Sequence, residues 1–330
     1  MSSAIRFDRP GGPDVLRMVQ VEQPEPGPAE VRIEVAAAGV NNADLLERRG
    51  QFQVPPGAPP GLGLECAGTI TAVGRDVTTW QPGDQVCALV AGGAYAEEVI
   101  APAAQVMPVP RGLTLIEAAA LPEAACTVYS NLAMTVGLTA GQTVLIHGAG
   151  GGVGSFAIQW ATAIGARVIT TAGSTEKTRA AIALGAVEAV NYRTDDFVTA
   201  ALDATGGEGV DAILDIVGAT YLRRNVECLA PDGHLVVISG SGPVAFDLWE
   251  LMARRASISA TLLRGRPAHQ KAAIVAGVTR DVIPLVEAGA IRAVVDTVFP
   301  MEQANRAHEL LESGRTVGKV ILEPSGHRPR

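Results

Sequence analysis

Between Val144 and Gly154 the sequence reads VLIHGAGGGVG, an apolar run that breaks into glycines. Glycine lets a chain turn tightly and approach a ligand closely. A helix that starts directly afterwards offers unpaired N–H groups and the positive end of its dipole to a phosphate. The G-x-G-x-x-G frame falls on Ala149, Gly151 and Gly154, with alanine first, whereas Gly148, Gly151 and Gly154 complete a G-x-x-G-x-x-G frame. Set between a strand and a helix opening with Gly152 and Val153, this is the spacing of a dinucleotide-binding turn. About 20 residues further on, at the end of the second strand, an NAD site carries an acid for the ribose 2′-OH. Here that strand ends VITTAGSTEK: Thr171, Ala172, Gly173 and Ser174 fill the place, no acid stands there, and Lys177 follows on the next helical turn. A hydroxyl and an ammonium suit a 2′-phosphate, so the expected cofactor is NADPH.

These residues need elements to hold them, and the chain changes grammar near Leu121. Before it, short β-rich runs at Val31–Val40, Cys66–Gly74 and Gln81–Val90 are separated by proline and glycine turns, which predicts a compact antiparallel β unit. After it, the strands TVLIHGAG, RVITTAG, AVNY, VDAILDIVG and GHLVVISG alternate with helices such as GVGSFAIQWATAIG and STEKTRAAIALG. That alternation predicts an α/β fold, a doubly wound parallel sheet of βαβ units. A last helix over Met301–Gly314 precedes the strand GKVILE, and the terminal SGHRPR is expected to fray.

Composition narrows the function classes. Hydrophobic residues make up 48% of the 330 and charged ones 18%, enough for a large core, and with aromatics at 4% that core must be aliphatic. A net charge of −8 gives no cationic face for nucleic acid or an anionic membrane. Residues 124–166 contain no charged side chain, yet glycines, Asn131, Gln142 and Gln159 interrupt them too often for a spanning helix. No apolar leader follows Met1, and Cys66, Cys87, Cys126 and Cys228 lie too far apart for a zinc or disulfide framework. A reduced, cytoplasmic compartment is expected.

With AAAGVNNADLLERRG, GLGLECAGTITAVG, QPGDQVCAL, LPEAACTVYSNL, VLIHGAGGGVG and the closing GKVIL, the whole chain resembles the medium-chain dehydrogenase/reductase superfamily. It is most similar to the quinone oxidoreductase, or zeta-crystallin, branch, and RRGQFQVPPGAPPGLGLE with AGSTEK resembles its p53-inducible members. The resemblance implies a GroES-like β-rich domain from both chain ends, 1–122 and 292–330, a Rossmann domain at 123–291, an active-site cleft between them, and a homodimer through the Rossmann sheet edge. Zinc-dependent relatives bind their metal through a Cys, a His before Glu, and a second Cys. The matching positions here are Asn41, Leu64 before Glu65, and the vicinity of Glu123, so no metal is expected.

The resemblance further implies Asn41 and Thr127 near the nicotinamide, with Ser239 and Gly240 flanking its ring. Gly173, Ser174, Lys177 and Tyr192 would hold the adenosine phosphate end, Tyr192 covering the adenine, while Leu263 and Lys319 would close over the cofactor. The substrate would meet Asn41, Leu46, Phe52, Thr127 and Leu263. Some relatives place a tyrosine at the positions of Leu46 or Phe52, and neither residue here can donate a proton. Hydride transfer to an intrinsically electrophilic quinone in an apolar slot is therefore expected. The alternatives are an NADPH-dependent reductase of alkenals or enones and a low-turnover NADPH-binding structural or regulatory protein.

Overall fold

Val31, Ile33 and Val35 are buried while Arg32 and Glu34 face outward, and from Ala36 to Val40 both faces are covered. This strand, β3 (Glu30–Val40), is the centre of the first structural unit. The chain enters it through β1 (Ser2–Arg6) and β2 (Arg17–Val21), an antiparallel pair. It continues through β4 (Glu65–Val73), β5 (Gln85–Leu89), β6 (Glu98–Pro102) and β7 (Val106–Pro108), all in antiparallel pairings. The computed structural model describes residues 1–23, 25–240 and 242–325. Most of the C-terminal run expected to fray lies outside the described residues.

The second unit comprises Thr127–Leu263 and Gly289–Arg292. Its six strands are β8 (Thr143–His147), β9 (Arg167–Ala172), β10 (Glu188–Asn191), β11 (Val210–Asp215), β12 (Leu229–Val237) and β13 (Ser257–Ala260). They lie in the order β10-β9-β8-β11-β12-β13 with every pairing parallel, the doubly wound Rossmann arrangement. All five residues of β8 are buried, as a central parallel strand requires. Leu145, Ile169, Ile213 and Leu235 form the core on one side with Phe197. Strand order reverses at β8, so a ligand crevice is expected beyond the carboxyl ends of β8 and β11.

The chain then returns to the first unit with β14 (Val295–Pro300) and β15 (Lys319–Glu323). Strand β15 pairs antiparallel with β3, but β14 pairs parallel with β15. The helix Ala304–Glu312 crosses between the two strands, and a crossover makes them parallel. The structure differs from expectation at Arg264–Ala288, grouped by sequence with the Rossmann unit but compact with the first unit. Its helix Ala268–Asp281 packs toward β7, burying Ile274, Val275 and Val278. A helical stripe announces a buried face without saying which sheet will cover it.

All four cysteines are free and buried, Cys66, Cys87 and Cys126 in the first unit and Cys228 in the second. Burial pushes every one of their thiols upward, Cys87 and Cys228 to about 12. No helix among the described residues is long and apolar enough to cross a membrane.

Candidate functional site

Strand β8 ends at His147, and the chain reverses at Gly148 with φ +84°, a conformation that favours glycine. The N–H groups of Gly148 and Ala149 donate to the Thr171 carbonyl at 3.1 and 2.9 Å, fastening the turn to β9. Gly151 caps the helix Gly152–Ala163, whose first i→i−4 bond runs from Ser155 N to Gly151 O. The N–H groups of Gly152, Val153 and Gly154 precede it and have no acceptor within the helix, the condition for anion binding. A Cβ on Gly154 would lie 2.1 Å from the Gly148 carbonyl oxygen, so this glycine serves packing. A Cβ on Gly151 would meet only that same oxygen, at 3.9 Å, so the space in front of Gly151 is open.

At the end of β9, Ser174 caps the helix Thr175–Ala183 and its hydroxyl accepts from Lys177 N at 3.3 Å. The aliphatic stem of Lys177 lies along Gly150, where a Cβ would be 2.6 Å from Lys177 Cδ. The Tyr192 hydroxyl lies over Gly173, 2.5 Å from where a Cβ would be. The structure thus brings Gly173, Ser174, Lys177 and Tyr192 together beside the glycine turn. For this grouping, Lys177→Ala is expected to raise the KM for NADPH about tenfold and leave that for NADH nearly unchanged. A charge-assisted bond to a solvent-facing phosphate sits at the lower end of about 1.5–3 kcal/mol. Equal loss for both cofactors in steady-state assays would remove the 2′-phosphate from this position.

Beneath the turn lies a buried chain of four side chains that the sequence did not announce. Asn225 donates to Asp215 at 3.0 Å, so its carbonyl oxygen faces Nε2 of His147 at 2.8 Å and must accept. His147 therefore carries its proton on Nε2, and its Nδ1 accepts from the Thr171 hydroxyl at 2.9 Å. Burial pulls His147 down to about 4, so the ring stays neutral. Asp215 accepts from Val217 N and Gly218 N. Gly218, at φ +77°, would carry a Cβ only 2.7 Å from the Ser239 carbonyl oxygen, which seats the Ser239–Gly240 turn against it. One network joins the loops after β8, β9, β11 and β12. The only sequence signal was a histidine closing an apolar strand.

Thr127 and Leu263, both buried, also belong to this unit, whereas Asn41, Leu46, Phe52 and Lys319 belong to the first. There the Lys319 ammonium pairs with Glu65 and donates to Asn41 Oδ1 at 2.6 Å. Asn41 Nδ2 donates to the same Glu65 at 2.8 Å, and Glu123 N donates to its other oxygen at 2.8 Å. Lys319 was expected over the cofactor; its ammonium is engaged by Glu65 and Asn41. Behind Asn41 runs a one-way relay. Arg48 can only donate, so Nδ1 of His308 accepts from it at 3.2 Å, Nε2–H of His308 donates to the Tyr95 hydroxyl, and Tyr95 donates to Asp44 at 3.1 Å. Burial raises Asp44 to about 6 against the pull of its donors, Asn41 N, Gly63 N and Tyr95. Leu46 and Phe52 are partly buried.

Glu123, partly buried, is raised to about 8, first by desolvation and then by Glu65, with Lys319 and Lys271 opposing. A carboxyl whose folded value exceeds its unfolded value stabilises fully below the unfolded value, and that contribution is lost as pH rises through the folded one. Glu123→Gln should therefore gain in melting temperature relative to wild type between about pH 5 and 9. A constant difference across that range would show that Glu123 ionises normally.

Comparison with known proteins follows the same outline. Residues 27–111 match the family "Alcohol dehydrogenase GroES-like domain" and residues 184–322 the family "Zinc-binding dehydrogenase". A quinone oxidoreductase of Pseudomonas aeruginosa is 35% identical over 327 residues, covering 98% of this chain and 100% of that protein. A 2-haloacrylate reductase from a Burkholderia species is 32% identical, covering 98% of this chain and 99% of that protein. The crystal structure of Escherichia coli quinone oxidoreductase complexed with NADPH is 34% identical, with a TM-score of 0.87 over 98% of this chain and 100% of that one.

Proposed function

The chain belongs to the medium-chain dehydrogenase/reductase superfamily, in its quinone oxidoreductase branch, and from that premise we propose that it reduces a quinone with NADPH, without zinc. The observation that carries the cofactor reading is the grouping of Ser174, Lys177 and Tyr192 at a strand end without an acid. The open space at Gly151 and the free first-turn N–H groups fit a pyrophosphate. NADPH, when bound, supplies a hydride from its nicotinamide. Gly152, Val153 and Gly154 hold the diphosphate, and Ser174 and Lys177 hold the 2′-phosphate while Tyr192 covers the adenine. Ser239, Gly240, Thr127 and Leu263 bound the nicotinamide end.

The family matched by residues 184–322 implies zinc, and the side chains present do not fit it. Leu64 offers no ligand atom, and Glu65 already accepts from Lys319, Asn41 and the Glu123 backbone. Among the described residues, no group of three or more His, Cys, Asp or Glu is placed to hold a metal ion. An acceptor that is itself strongly electrophilic is therefore favoured, as a quinone is. The likeness to a 2-haloacrylate reductase supports a second reading, reduction of an activated carbon–carbon double bond.

The test is NADPH oxidation against a panel of quinones and 2-alkenals, with and without a strong chelator, and with product analysis. Quinones should be reduced preferentially and the chelator should change nothing. Faster turnover of alkenals would install the second reading, and no turnover with either class would leave an NADPH-binding protein. We read the assembly as a homodimer through the edge of the Rossmann sheet. Among the described residues, strand β13 pairs only with β12, and the helix Leu248–Arg254 in the same unit exposes Leu248, Trp249 and Met252. A monomeric mass in solution would remove that reading. The four free thiols suit a reducing, cytoplasmic setting.

A further inference from the structure

Within the Rossmann unit, the loops after β11 and β12 meet backbone to backbone. Gly218, at φ +77°, would carry a Cβ 2.7 Å from the Ser239 carbonyl oxygen and 3.0 Å from Gly240 Cα. Gly240, at φ +90°, would carry one 2.1 Å from the Val217 carbonyl oxygen. Next to Val217, Ile216 lies on the glycine turn, where a Cβ on Gly148 would be 2.2 Å from Ile216 Cδ1. The turn at Gly148, the loop Ile216–Gly218 and the turn Ser239–Gly240 are thus stacked without slack, and a shift in one displaces the next.

One carboxylate holds the middle loop. Asp215 accepts from Val217 N at 2.6 Å and from Gly218 N at 3.1 Å. Its orientation depends on Asn225, that of Asn225 on His147, and the place of the His147 proton on the Thr171 hydroxyl. Every donor in the series points from Thr171 toward Asp215. None of the four side chains is more than 1% exposed, so solvent cannot replace a missing link. Phe197 and Tyr221 set their rings edge-on to the imidazole, with centroids at 4.9 and 5.0 Å, and hold it in plane. A proton on Nδ1 instead would turn the Nε2 lone pair to the Asn225 carbonyl, reverse that amide and bring its oxygen against Asp215. Thr171 serves two ends at once: its carbonyl fastens Gly148 and Ala149, and its hydroxyl starts the series.

Resting on the cofactor reading above, we propose that His147 is a positioning residue for the nicotinamide end of NADPH. Through Asn225 and Asp215 it sets the loop Ile216–Gly218 and the turn Ser239–Gly240 at a fixed span from the diphosphate turn. Being wholly buried, it touches neither cofactor nor acceptor. The adenosine half of the cofactor binds without that span, whereas the placement of the nicotinamide ring, and with it hydride transfer, depends on it.

The test is Thr171→Val, which keeps the branched shape and the carbonyl that fastens the turn and removes only the hydroxyl. Adenosine 2′,5′-bisphosphate, which covers the adenosine end alone, should bind the variant within about twofold of wild type. NADPH should bind about tenfold more weakly, and kcat for a simple benzoquinone at saturating NADPH should fall about tenfold. Nitrogen-15 NMR of the imidazole should find the wild-type proton on Nε2 near neutral pH and both tautomers in the variant. If Thr171→Val fails to fold, Asp215→Asn keeps Oδ1 for the loop and reverses every donor in the series, so the proton should move to Nδ1. A wild-type proton on Nδ1, a proton unmoved by Asp215→Asn, or a folded Thr171→Val chain that weakens both ligands alike or neither overturns the His147 proposal alone. A wild type that binds NADPH and reduces no quinone overturns the proposed acceptor, and the binding comparison then decides His147 by itself. A wild type that binds no NADPH overturns both.

Discussion

Gly151→Val should give a folded chain that has lost NADPH. The residue has φ −88°, which valine adopts without strain, and no protein atom but the Gly148 carbonyl oxygen lies near the new Cβ, at 3.9 Å. The substituent therefore occupies ligand space and no packing space. Displacing a pyrophosphate from the helix N-terminus forfeits more than one charge-assisted bond at about 1.5–3 kcal/mol each, so affinity should fall by about 100-fold or more. Nucleotide fluorescence titration measures the loss, and an unchanged melting temperature and circular dichroism show that the fold survives. Gly154→Val is the contrasting case. Its Cβ would strike the Gly148 carbonyl oxygen at 2.1 Å, and that variant should lose the fold together with the cofactor. A folded Gly151→Val chain with undiminished NADPH affinity would place the diphosphate elsewhere.

The second large effect is expected at Lys319→Met. Glu65 is wholly buried and Lys319 is 5% exposed, so solvent cannot replace the missing ammonium. Removing one partner of a buried pair costs about 3–5 kcal/mol, which corresponds to a fall in melting temperature of roughly 6–20 °C for a unit of this size. Asn41 also loses the donor that fixes which end of its amide faces Glu65. Adding Glu65→Gln should restore most of the stability, because two neutral partners need no counter-charge. If the single variant melts within a degree or two of wild type, or if Glu65→Gln deepens the loss, the pair does not stabilise this unit.

The two variants also mark what the sequence disclosed. The glycine turn, the missing acid and Lys177 lie within one βαβ unit, where local pattern and structure share the same short stretch of chain. Strand alternation likewise announced the Rossmann sheet, because a buried parallel strand such as β8 reads as an unbroken apolar run. The polar centre of the first unit was hidden for the opposite reason. Lys319 and Asn41 are 278 residues apart, and nothing in VGKVIL says which carboxylate will meet the ammonium. The His147 network required knowing that β8, β9 and β11 are neighbours. Each of its members, taken singly, is an ordinary polar residue at a strand end.

The burial of Cys66, Cys87, Cys126 and Cys228 has a meaning for a protein that handles electrophiles. Quinones and enones arylate or alkylate sulfur, and the thiolate is the form that attacks them. With every thiol raised by burial, the thiolate fraction near neutral pH is negligible, and a bulky acceptor has no path to the sulfur. Cys126 stands one helical turn beyond Glu123, and its thiol is held well above the ordinary range, first by burial and then by that carboxyl. Chemical tolerance of its own substrate is thus built into the aliphatic packing, and it would fail first in any variant that opens a cavity beside Cys126.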